Sequence, residues 1–195
     1  METHLRQALR EAVAFLDSQG YRYAVIGGIA NQIWGQARFT YDIDLKVLVP
    51  NFEYDTVRAT VNETFPEPGR PDLPFNPLIV SAKIGEVIVD FLLITPGYEE
   101  QIITRAIRYA LDDLSIWVCS AEDLIIQKAI AGRVRDWQDL EGILIEQYAQ
   151  LDQRYLEDWL TQFAEALEQP DILSQYRQIW KRVTIANHSS TEQRT

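Results

Sequence analysis

Two acids one residue apart lie inside an apolar run, Asp42-Ile43-Asp44-Leu45. Side chains alternate along a strand, so Asp42 and Asp44 share a face. Carboxylates that close repel, and the arrangement is costly unless a cation or a strong donor lies between them. A hard divalent ion with oxygen ligands is the simplest resident, and magnesium is the one expected. Upstream, the apolar run Tyr23-Ala24-Val25-Ile26 stops at Gly27-Gly28. Missing side chains there let a phosphate approach backbone N–H groups at a helix N-terminus. Glycines for phosphate and acids for metal describe a metal-nucleotide site. Taken without the acids, the glycine pair reads equally well as a tight strand-to-helix turn.

The elements that must position these residues follow from periodicity. Leu5, Leu9, Ala12, Val13 and Leu16 recur at helical spacing up to Ser18-Gln19-Gly20, which predicts a helix packed on a sheet. After the glycines a short helix carries Ile29, Ile33 and Trp34. The acid-bearing strand continues through Lys46-Val47-Leu48-Val49 and closes at Pro50, which cannot donate to a ladder. Its residues Ile43, Leu45, Val47 and Val49 form one apolar face, and the acids share the other with Lys46. A helix is predicted over 52–64. Between Phe65 and Pro77 five prolines and a glycine exclude regular structure, and a loop near the rim of the site is expected. Residues 78–80 and 86–90 read as a hairpin turning at Ile84-Gly85, residues 98–109 as a helix, and residues 114–118 as a short strand. Helices over 120–131, 135–148, 152–167 and 172–183 complete the chain. In them Trp159, Tyr176 and Trp180 read as core or interface.

At 195 residues, 47% hydrophobic and 24% charged, the composition is that of a globular domain with a helical extension. A net charge of -11 opposes long-range attraction to nucleic acid or an anionic membrane. The single cysteine, Cys119, cannot form an internal disulfide and reads as a buried thiol. No apolar run approaches the length of a membrane span, so no membrane partner and a cytoplasmic location are expected. His4 and His188 lie near the termini without ligand-like company, which leaves zinc and histidine-base chemistry unsupported. No Gly-x-x-x-x-Gly-Lys-Ser/Thr loop points to an ordinary NTP hydrolase.

The glycine pair, the thirteen residues that follow and Asp42-Ile43-Asp44-Leu45 resemble the signature of the nucleotidyltransferase superfamily, the fold of the DNA polymerase beta type. The resemblance implies a third carboxylate on a later strand, and Asp90, inside Val87-Ile88-Val89-Asp90-Phe91-Leu92-Leu93, matches it. Arg38-Phe39-Thr40, Lys128-Ala129-Ile130-Ala131 and Arg135-Asp136-Trp137-Gln138-Asp139-Leu140 resemble the AbiEii-type branch, which includes toxins of toxin-antitoxin and phage-defence systems. The implied fold class is α/β (α+β), a small mixed sheet flanked by helices with a C-terminal helical bundle. Its expected divisions are a catalytic domain over 1–118, a helical region over 119–185 and a disordered tail over 186–195.

The resemblance makes Asp42, Asp44 and Asp90 the catalytic and metal-binding residues, with NTP as substrate and two magnesium ions during turnover. It implies nucleotide binding by Gly27, Gly28, Arg38, Thr40, Lys128, Arg135, Asp136 and Asp139. The expected reaction moves NMP to a hydroxyl of RNA such as tRNA, of a protein or of a small molecule, with a cognate antitoxin as partner if the chain is a toxin. Bland alternatives stand beside these roles. The acids read also as surface charges on edge strands, Thr40 as a strand-leading residue with a satisfied hydroxyl, and Lys128 as a snorkelling lysine. Arg135, Asp136 and Asp139 read equally as a charge network at a helix N-terminus. The alternative functions are an inactive nucleotide- or partner-binding member of the fold and a kinase-like phosphotransferase.

Overall fold

The computed structural model describes residues 3–72 and 74–192, with side chains through 186, so the His188 side chain lies outside the described residues. The chain divides into two units, one of Met1–Ala30 with Arg38–Ser120, the other of Asn31–Ala37 with Ala121–Thr195.

The first unit is built on a six-stranded mixed sheet. Its strands are β1 (Tyr23–Val25), β2 (Asp42–Leu48), β3 (Ile79–Ile84), β4 (Val87–Ile94), β5 (Ile107–Leu111) and β6 (Leu114–Val118). They lie in the order β3-β4-β2-β1-β6-β5. β2 runs antiparallel to β1 and parallel to β4, with Asp44 directly opposite Asp90. Ile43, Leu45, Val89 and Phe91 are fully buried on the face opposite the acids. Helix α1 (Thr3–Ser18) packs on β2, β3 and β4 with Leu5, Leu9, Ala12, Val13 and Leu16 buried. Phe91 meets Phe15 edge-on and stacks on Phe65, ring centroids 6.2 and 6.1 Å away. Helix α2 (Gly27–Trp34) begins in this unit, and its last residues belong to the second.

The fold class agrees with the expectation, and so do most elements. Helix α3 (Tyr54–Thr64) starts two residues later than predicted, because Pro50–Phe52 forms a 3-10 turn with Asn51 and Phe52 at positive φ. The helix expected over 98–109 is a correction. Helix α4 (Tyr98–Thr104) stops there, and Ile107–Leu111 is the edge strand β5. Most of β5 is exposed, so its side chains carry no apolar alternation. Its overlooked signal is Asp112-Asp113, the two-residue turn between the paired Leu111 and Leu114, with Asp112 at φ 54.

The second unit is helical, with α5 (Ala121–Ala131), α6 (Val134–Gln147), α7 (Gln153–Ala166) and α8 (Asp171–Glu192) packed on one another. Leu124, Ile125, Leu140, Ile143, Leu156, Leu160 and Tyr176 are buried at its centre, which places Tyr176 in the core. Trp180 lies beside Tyr176 and Tyr148. α8 continues to Glu192, past the point where a disordered tail was expected, and residues 193–195 of that tail lie outside the described residues.

Phe91 anchors the buried face of the acid-bearing strands. Phe91→Ala is expected to lower unfolding stability by about 3–5 kcal/mol, measured by urea denaturation.

Candidate active site

Strand alternation and register bring three carboxylates to one sheet face. Asp42 and Asp44 point away from the core because Ile43 and Leu45 must enter it, and Asp90 does so because Val89 and Phe91 flank it. Asp90 is only 9% exposed and Asp42 is half-buried.

The repulsion this creates is met by donors from three directions. Thr40 Oγ1 donates to Asp42 Oδ1 at 3.1 Å. Ser81 Oγ, opposite Asp90 on β3, donates to Asp90 Oδ1. Arg70 spans two acids, with Nη2 at 3.0 Å from Asp42 Oδ2 and Nε at 3.0 Å from Asp90 Oδ2. Burial works against the Arg70 charge, but the hydrogen bonds and attraction of Asp90, then Asp42, raise its pKa above the ordinary arginine value.

Arg70 comes from the proline-rich loop, and the reach of its side chain is set by backbone pairing. Gly69 N–H donates to Ser81 O at 2.9 Å, Lys83 N–H donates to Glu67 O at 2.7 Å, and Pro68 bridges Ala82. A Cβ at Gly69 would lie 2.6 Å from Ser81 Oγ and 2.7 Å from Ala82 O, so only glycine allows this approach. Sequence reasoning missed Arg70. Nothing in the spacing of residues 65–77 marks one arginine as the partner of two distant acids.

Gly27, at φ +63, opens α2 directly against Asp44, where a Cβ would fall 2.0 Å from Asp44 Oδ2. A Cβ at Gly28 would fall 2.2 Å from Thr40 Oγ1. The glycines therefore seat two site side chains against the backbone of the helix start. Arg38 Nη1 donates to Phe39 O at 3.2 Å. Further along the acid face, buried Lys46 pairs with Glu99 of α4. Burial pushes the Glu99 pKa up, and the opposing effects of Lys46 and Thr95 bring it below the usual carboxylate value.

The donors suit a hard divalent cation, since all three are carboxylates and Asp42 and Asp90 already share one positive partner. Among the described residues no group of three His, Cys, Asp or Glu is arranged to hold a metal ion.

The other expected site residues belong to the second unit. Lys128 on α5 donates to Asp136 Oδ1 at 3.0 Å and to Asp139 Oδ2 at 2.7 Å, both on α6. All three are buried, at 7%, 2% and 6% exposure. The spacing puts both acids on one side of α6, and Lys128 is engaged in holding them rather than snorkelling to solvent. Arg133 also reaches Asp136 Oδ2, and Arg135 is exposed. Burial raises the Asp136 pKa, but hydrogen bonds from Arg133 and Lys128 outweigh it and bring the value below the ordinary carboxylate range.

A folded-state pKa below the unfolded value gives stability that is present above the unfolded pKa, about 3.9, and lost as pH falls through the folded one. Wild type is therefore expected to lose stability below about pH 4. In urea denaturation across pH 3–7, Asp136→Asn should show a shallower acid loss. Lys128→Met, which leaves two buried acids short of a partner, should cost about 3 kcal/mol at pH 7.

Comparison with solved structures finds the same fold. An antigenic nucleotidyltransferase-like protein from Paracoccidioides brasiliensis aligns at TM-score 0.57 and 18% identity, over 89% of this chain and 92% of that one. The antibiotic-resistance factor ANT(2'')-Ia aligns at TM-score 0.50 and 15% identity, over 98% of this chain and all of that one. No curated protein sequence matches. The model of the DUF2204 family, described as nucleotidyl transferase of unknown function, matches residues 5–178. That span includes all three acids, Arg70 and the Lys128 network, and the chain belongs to this family of nucleotidyl transferases.

Proposed function

We propose that the protein moves NMP from an NTP to a hydroxyl acceptor, with magnesium held by Asp42, Asp44 and Asp90. The observation that carries this reading is the register of β2 and β4, which sets Asp44 opposite Asp90 with Asp42 on the same face. Bound ions, two during turnover, would stabilise the attacking and leaving oxygens of the displacement. The residues of the chain supply the rest. Thr40 and Ser81 orient Asp42 and Asp90. Gly27 and Gly28 hold Asp44 and Thr40 at the start of α2, and Arg38 contributes positive charge for the phosphates. The acceptor oxygen attacks the α-phosphorus, pyrophosphate leaves, and the acceptor's proton passes to a carboxylate of this face. Lys128, Asp136 and Asp139 serve in this proposal as a buried network of their own unit.

The finer proposal is an AbiEii-like enzyme acting as a toxin with a cognate antitoxin, in a cytoplasmic setting. It rests on Arg38-Phe39-Thr40 and Arg135-Asp136-Trp137-Gln138-Asp139-Leu140. Among the described residues no helix is long and apolar enough to cross a membrane. The net charge of -11 works against RNA as acceptor, and the likeness to an antibiotic-resistance factor directs attention to a small-molecule hydroxyl. One observation favours an inactive nucleotide- or partner-binding member instead, namely that Arg70 already pairs with two of the acids.

The test is label transfer from each NTP, labelled at the α or γ phosphorus, in an extract containing RNA, protein and metabolites. Label is expected to move from the α position only, to be abolished by Asp42→Asn, and to identify the acceptor by the fraction it enters. Transfer from the γ position would make the protein a kinase, and binding of NTP without transfer would favour the inactive member. Gly27→Ala, which must displace the Asp44 carboxylate, should cut α transfer by about 100-fold with the far-UV circular dichroism retained.

A further inference from the structure

The metal-dependent reading above leaves one residue unassigned, and the geometry gives it a task. Arg70 donates to Oδ2 of Asp42 and Oδ2 of Asp90, the same carboxylates a metal would need. A guanidinium and a divalent cation cannot both occupy that gap. Arg70 is also well suited to leave it. Its side chain is about one-third exposed, and the residues that follow, Pro71 and Asp72, are exposed and make no strand pairing. Its anchor, by contrast, stays with β3 through Gly69 and Glu67. Released from the acids, the fork of N–H donors remains tethered beside the site, and its geometry matches phosphate oxygens as well as carboxylates.

We propose that Arg70 is an exchangeable cation of the acid face. In the resting chain it pairs with both Asp42 and Asp90 and competes with free metal. When a metal-nucleotide enters, the metal takes the carboxylates and the triphosphate takes the guanidinium. The exchange makes metal binding depend on nucleotide, because metal alone must break both Arg70 pairs with no phosphate to receive the arginine. The like-charge penalty of an emptied acid face is avoided at each stage.

The exchange is tested without turnover, by titrating Mn2+ and reading free Mn2+ by electron paramagnetic resonance, with and without a non-hydrolysable ATP analogue. Wild type should bind Mn2+ weakly alone and much more tightly with the analogue. Arg70→Gln should bind Mn2+ alone at least about tenfold more tightly than wild type, since two charged hydrogen bonds no longer oppose it. The same variant should lose most of the enhancement by the analogue. A wild-type readout guards against a variant that fails to fold: the Arg70 Nε–H resonance, assigned from the Arg70→Lys spectrum, should shift when Mg2+ and the analogue are added together.

Mn2+ affinity in Arg70→Gln within twofold of wild type, an undiminished enhancement, or an unmoved Nε–H resonance overturns the exchange. If neither chain binds Mn2+ even with the analogue, the metal-dependent reading falls and the exchange falls with it. Loss of label transfer with the exchange intact would sink the transfer reading alone.

Discussion

Three carboxylates crowded on one face of a sheet are the constraint on which the rest of this structure depends. They cannot turn away, because the alternating residues Ile43, Leu45, Val89 and Phe91 fill the core on the other face. A slip of one residue would bury the acids and expose the core, a far larger penalty than their mutual repulsion. Positive charge and hydroxyl donors must therefore come to the acids. Thr40, Ser81 and Arg70 do so, each delivered by a different segment.

The same problem recurs elsewhere and is solved differently. Lys46, inside the sheet, is neutralised by Glu99. Lys128 is shared by Asp136 and Asp139 in the helical unit, almost entirely out of solvent. Buried pairs of this kind add little net stability, but removing one partner leaves an uncompensated charge, so they tie α5 to α6 in one arrangement. The Arg70 side chain is more exposed than that of Lys128, at 32% against 9%. That difference separates a pair suited to exchange from one suited to hold a core.

A chain of net charge -11 thus places its cations where acids are already gathered. The glycines belong to the same economy of space. Gly27, Gly28 and Gly69 each remove a Cβ that would collide with Asp44, Thr40 or Ser81, all three members of the acid cluster or its donors. Backbone approach at these points lets Asp44, Thr40 and Ser81 sit against the main chain.

Much of this was legible in the residues alone. Period-two alternation determined that Asp42 and Asp44 share a face, and helical periodicity located α1 and the helices of the second unit. The apolar residues flanking Asp90 marked its strand, and the family resemblance supplied its neighbour. Local signals failed where burial is slight, as in exposed β5, and where a role depends on distant partners. Only the tertiary structure decided that Asp44 lies opposite Asp90, that Lys128 holds Asp136 and Asp139, and that Arg70 reaches Asp42 across 28 positions of sequence. The physical reason is range: alternation, capping and turn chemistry act over a few residues, whereas the pairing of charges is settled by which strands and loops the core brings together.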